Sequence, residues 1–93
     1  MNVTTKHLII YGYVQGVGYR AWVIEGARRL GLTGWVRNRA EGTVEAVFVG
    51  KRAAVLRMVE ACRQGPDRAR VTGVDSIDWI GDVPTDFRQL PTD

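Results

Sequence analysis

Between Val14 and Arg20 the hydrophobic period of the chain changes from two to 3.6, and two glycines sit at the change. Upstream, His7-Leu8-Ile9-Ile10-Tyr11-Gly12-Tyr13-Val14 is rich in β-branched and aromatic residues, with Leu8, Ile10 and Val14 on one face, and this predicts a strand. Downstream, Tyr19, Val23, Ala27 and Leu30 fall at i, i+4, i+8 and i+11, one stripe of a helix, and Gly31 follows as its C-terminal glycine. Gly16 and Gly18 let the backbone bend without a Cβ clash, so that successive N–H groups turn toward one point. A helix starting near Tyr19 or Arg20 adds its unpaired N–H groups and the positive end of its dipole. Arg20 adds a guanidinium whose planar fork matches two phosphate oxygens. Together these parts make an anion site. On spacing alone, a tight strand-to-helix turn carrying a surface arginine stays open as a second reading.

The same periodicities organise the rest of the chain. Thr33–Asn38 and Thr43–Val49 read as a hairpin joined by Arg39-Ala40-Glu41-Gly42, with Val44, Ala46 and Phe48 facing one way and Thr43, Glu45 and Val47 the other. Val55, Met58, Val59 and Cys62 form a stripe on a second helix over about residues 52–64, stopped by Gly65-Pro66. Residues 71–80 read as a strand with Ile77 and Trp79 on one face, and Phe87-Arg88-Gln89-Leu90 carries a weak pattern for a fifth. The order β-α-β-β-α-β predicts an α+β, ferredoxin-like two-layer sandwich, with two helices on one face of an antiparallel sheet. Its other face is expected to meet solvent. That fold serves enzymes, metal carriers and RNA binders, so it names no function.

Composition narrows the chemistry. Ninety-three residues without a linker, repeat or low-complexity tract predict a single domain, 1–93. No apolar run approaches the length of a membrane span, and the amino terminus lacks the apolar stretch of a secretory signal, so the expected location is the cytoplasm. A single cysteine, Cys62, and a single histidine, His7, argue against a disulfide, a zinc site or a histidine-activated nucleophile. Residues 1–66 carry ten Lys or Arg against four Glu, whereas residues 67–93 carry three Arg against six Asp. The glycine turn lies in the basic part, whose field favours an anion, whether a small ligand or a nucleic acid.

A second segment, Gly34-Trp35-Val36-Arg37-Asn38, ends on a carboxamide that this topology can bring to face the Gly16–Arg20 turn. Its oxygen can accept from a water and its NH2 can donate to a phosphoryl oxygen. Alternatively, Asn38 simply opens the hairpin, a common place for asparagine.

With both motifs in hand, the chain resembles the acylphosphatases over nearly its whole length. The match is densest at Val14-Gln15-Gly16-Val17-Gly18-Tyr19-Arg20, at Gly31-Leu32-Thr33-Gly34-Trp35-Val36-Arg37-Asn38 and at Glu41-Gly42-Thr43-Val44-Glu45, and Gly65-Pro66 is also similar. Tyr19 stands where phenylalanine is frequent in that family, and Glu41 where aspartate is. The resemblance implies hydrolysis of the carboxyl-phosphate bond of an acyl phosphate, releasing a carboxylate and inorganic phosphate, with no metal or organic cofactor. It implies that Arg20 is the phosphate-binding catalytic arginine. The N–H groups of Gln15, Gly16, Val17, Gly18, Tyr19 and Arg20 would form the phosphate cradle, and Asn38 would position the attacking water. The expected partner is a small-molecule acyl phosphate, with no nucleic acid or membrane, and the expected state is a monomer.

Two other classes stand beside that expectation. The same cradle would serve a module that binds phosphate or carbamoyl phosphate without turnover. An RNA-binding domain of this fold would use exposed aromatics such as Tyr11 and Tyr13, although the 43–49 strand carries no matching aromatic-basic motif.

Overall fold

The computed structural model describes residues 3–93; Met1 and Asn2, part of the amino terminus read above for a leader, lie outside the described residues. The elements are β1 (Val3–Tyr13), α1 (Tyr19–Arg29), β2 (Thr33–Asn38), β3 (Val44–Lys51), α2 (Arg52–Gln64), β4 (Arg70–Asp78) and β5 (Phe87–Gln89). The strands form one sheet in the order β4-β1-β3-β2-β5. Two helices pack on one face of it, the ferredoxin-like α+β arrangement.

The helices begin and end where the sequence chemistry requires. The last turn of α1 closes with Leu32 N–H donating to the Ala27 carbonyl at 2.9 Å and Gly31 N–H to the Arg28 carbonyl at 3.1 Å, a Schellman pair that satisfies two orphan carbonyls. Helix α2 ends with Gly65 N–H on the Ala61 carbonyl, and Pro66 follows. Their apolar stripes meet the sheet in one core, in which Leu8, Ile10, Val23, Ala46, Phe48 and Val55 have no exposed surface. Cys62 belongs to that core, and burial pushes its thiol up to about 12.

The sheet is mixed rather than wholly antiparallel. β1 pairs antiparallel with β3 and β4, and β2 with β3, but β5 runs parallel to β2, Gly34 opposite Phe87 and Val36 opposite Gln89. The cause is direction. β2 and β4 run oppositely, so a strand that reverses after β4 and docks on the far edge runs with β2. Phe87 fixes that docking: it is buried, and its ring stacks on Phe48 with centroids 5.5 Å apart.

The sheet face away from the helices is partly covered: Tyr11 and Ile77 on it meet solvent, as expected, but the region around His7 and Trp35 does not. β4 stops at Asp78, one residue before Trp79, whose ring folds back to stack on His7 at 5.1 Å and meet Trp35 edge-on at 6.4 Å. Beneath this cover Glu45 is 5% exposed and accepts from His7 Nε2 at 2.6 Å, Arg37 Nε at 2.7 Å and an Arg39 guanidinium nitrogen at 3.2 Å. Burial alone would raise the Glu45 carboxyl, but the hydrogen bonds and charge of His7 and Arg37 outweigh it and hold it below the usual carboxylate range. The lone histidine is thus tied into the sheet surface, on the face opposite the helices.

Candidate active site

The turn between β1 and α1 is built from alternating anchors and glycines. Val14, Val17 and Tyr19 are buried in the core, while Gly16 and Gly18 are exposed between them. Both glycines take positive φ, +75° and +81°, in the left-handed region that a Cβ disfavours, and a Cβ on either would meet no atom within 4 Å. Backbone conformation, not crowding, therefore requires glycine at both positions.

Gly18 is the N-cap of α1 and offers no side-chain cap, and the first helical turn contains no acidic residue. The first backbone bond of the helix runs from Trp22 N–H to the Gly18 carbonyl at 3.1 Å. The N–H groups of Tyr19, Arg20 and Ala21 precede that bond and have no carbonyl partner in the helix. Their positive end is left without compensation by the chain itself. Tyr19 gives the cleft only main chain, because its buried hydroxyl donates to the Cys62 carbonyl at 2.6 Å and burial raises its phenol.

These groups open on a cleft of about 170 Å³ lined by Val14, Gly16, Gly18, Tyr19, Arg20, Ala21, Asn38 and Gln89. No carboxylate among the described residues lines it. Arg20 is half-buried at its wall and makes no ion pair among the described residues, unlike Arg37 and Arg39, which both face Glu45. Asn38, the last residue of β2, stands across from the cradle; its Oδ1 is buried and has no hydrogen-bond partner among the described residues. An uncompensated buried acceptor of this kind calls for a donor from outside the protein.

Of the residues expected from the sequence, the structure brings Gly16, Gly18, Tyr19, Arg20 and Asn38 to one cleft. Val17 and Gln15 do not line it. Val17 is 6% exposed in the core, and the Gln15 side chain turns to the hairpin, donating to the carbonyls of Arg39 and Thr43 at 2.8 Å each. Two wall residues had no sequence signal. Ala21 enters through the first helical turn, and Gln89 only because β5 pairs parallel with β2.

The acylphosphatase family model matches residues 6–89. An acylphosphatase of Rhodospirillum rubrum is 64% identical over 83 residues, which span 89% of this chain and 91% of that one. One of Azorhizobium caulinodans is 58% identical over 91 residues, 95% of this chain and 96% of that one. The solved structure of an acylphosphatase from Coxiella burnetii superposes with a TM-score of 0.91 at 37% identity, covering 96% of this chain and 94% of that one. The glycine cradle, Arg20 and Asn38 thus sit on a chain that matches in sequence and in fold along nearly all its length, and the chain belongs to the acylphosphatase family.

Proposed function

We propose that the chain hydrolyses acyl phosphates, with the phosphoryl group held by Arg20 and the N–H groups of the 15–20 loop and the attacking water oriented by Asn38. The observation that carries these roles is the buried, unpartnered Asn38 Oδ1 at a cleft it shares with Arg20 and the free end of α1. An acyl phosphate is an activated anhydride whose carboxylate leaves readily, so no protein nucleophile is needed. Water oxygen bonds to phosphorus as the bond from phosphorus to the acyl oxygen breaks, and the carboxylate departs with that electron pair. The water's proton passes to the substrate's own phosphoryl oxygen. Catalysis is then positioning plus stabilisation of charge on the phosphoryl oxygens. Arg20 and the α1 N–H groups supply the charge stabilisation, and Asn38 supplies the orientation of the water.

The same proposal includes a reaction without metal, carried out by a single domain acting as a monomer in the cytoplasm on a free small molecule. The single-domain part is supported by one connected core running from Leu8 to Phe87. Hydrolysis of benzoyl phosphate, measured with and without a chelator on wild type and Asn38→Ala, tests the proposal. Chelator-resistant turnover that falls sharply in the variant is the expected result. Phosphate binding without turnover in the wild type would replace hydrolysis by a binding role.

A further inference from the structure

Gln15 opens the glycine loop, yet both hydrogens of its carboxamide are used elsewhere. Nε2 donates to the Arg39 carbonyl and to the Thr43 carbonyl, each at 2.8 Å. Those carbonyls lie at the two ends of the β2–β3 turn. The same Arg39 carbonyl accepts from Gly42 N–H at 3.0 Å, and the same Thr43 carbonyl from Arg39 N–H at 2.9 Å. One primary amide therefore gathers both mouths of the hairpin immediately after Asn38. The opposite flank is held by Asp93, whose N–H donates to the Asn38 carbonyl at 3.1 Å, whose carbonyl accepts from Ala40 N–H at 2.8 Å and whose carboxylate pairs with Arg37 at 3.5 Å. Gln15 is the side chain that ties the phosphate loop to this turn.

We infer that Gln15 is a positioning residue: through these two bonds it fixes Asn38 relative to the phosphate cradle. The inference rests on the roles proposed above for Arg20 and Asn38. Bridging both carbonyls takes a side chain with two hydrogens to donate at this reach, which the neutral amide of Gln15 supplies. A carboxylate has no donor for two carbonyls, and an apolar side chain leaves each carbonyl with its main-chain donor alone. Because the Gln15 side chain, unlike its main-chain N–H, acts on the far wall of the cleft and not on the cradle, loss of that side chain should disturb the attacking water more than phosphate affinity. Displacement of a reacting group by about 1 Å is enough to lower a rate by about a hundredfold.

The test is a double-mutant cycle on benzoyl phosphate hydrolysis with Gln15→Met, Asn38→Ala and the double variant, alongside inhibition by inorganic phosphate. Gln15→Met is expected to lower kcat about tenfold, to leave the phosphate inhibition constant within about twofold, and to have almost no further effect once Asn38 is alanine. Equal loss in both backgrounds would reduce Gln15 to a stability role, and a large rise in the phosphate constant would place it in the cradle; either overturns the inference. Wild-type turnover in Asn38→Ala alone would remove the Asn38 role first, and the inference with it. Should Gln15→Met fail to fold, Gln15→Glu replaces it. Protonation returns one O–H donor to that side chain, so its kcat relative to wild type should climb as the pH falls toward about 5. A flat ratio would count against the inference.

Discussion

Arg37 and Asn38 are neighbours in β2 and serve opposite faces of the sheet. Arg37 Nε donates to Glu45 at 2.7 Å under the Trp79 cover, while Asn38 lines the cleft on the helix side. Side chains alternate along a strand, so a slip of one residue between β2 and β3 would exchange the two. The Arg37–Glu45 pair on one face and Val36 in the core on the other hold the register in which Asn38 meets the cleft.

Among the described residues, Arg20 is the one charged side chain at the cleft wall. Arg20→Ala is expected to lower kcat/KM by about a thousandfold and to weaken inhibition by inorganic phosphate. Arg20→Lys should recover little, because a point charge lacks the planar fork. Steady-state kinetics on both variants checks this; near-normal turnover in Arg20→Lys would rule out two-oxygen recognition.

Asn38→Ala should separate the two roles proposed for Arg20 and Asn38. Turnover falls about a hundredfold while phosphate inhibits nearly as well as in the wild type, because the cradle and Arg20 are untouched. A matching loss of phosphate affinity would instead make Asn38 a phosphate ligand.

Glu45 should give stability a pH dependence of known sign. Its carboxyl lies below its ordinary range in the folded chain, so the stabilisation is complete above the unfolded value and is lost as pH falls through the folded one. Glu45→Gln is expected to cost about 2 kcal/mol at neutral pH, with the gap to wild type narrowing in acid. Urea unfolding of both proteins at about pH 7 and pH 3 measures that gap. A gap that widened in acid would contradict the assignment.

Gly34, the one glycine of β2, is predicted not to tolerate a side chain. It has φ +134°, and a Cβ there would stand 1.9 Å from the Val47 carbonyl oxygen and 3.3 Å from the Phe87 ring. Gly34→Ala should destabilise by about 4 kcal/mol or more, since neither the backbone nor the buried ring can give way. Thermal unfolding with a midpoint close to wild type would disprove this.

Much of this architecture is legible in the residues because local pattern and tertiary packing agree. The stripe of Val55, Met58, Val59 and Cys62, ended by Gly65-Pro66, marks α2 over Arg52–Gln64 as the structure has it. The glycine turn announces both the start of α1 and the anion-ready end of that helix. The parallel direction of β5 is not legible, because three residues carry no directional signal and the pairing depends on where Phe87 finds a buried slot. Gln89 is hidden for the same reason. The partial cover of the outer face is half legible: the period puts Trp79 on the same face as Ile77, but not the fold of its ring back onto His7 and Trp35 just past the end of the strand. The Gln15 side chain is a subtler case: its place in a loop motif suggests a ligand contact, while its amide geometry suits two carbonyls 24 and 28 residues away.

The central place of β1 has a kinetic consequence. The first strand of the chain is completed only by partners far along it: His7 meets Glu45, 38 residues on, and Tyr11 meets Asp75, 64 residues on. Neither the β2–β3 hairpin nor either helix alone can assemble the centre of the sheet. The entropy of closing these long loops must be met before the central pairings reward it, so the chain should collapse quickly but reach its native sheet in milliseconds to seconds. Until then β1, with Leu8, Ile9 and Ile10, waits as an unpaired apolar strand, the segment through which the unfinished chain is most exposed to pairing with another copy of itself.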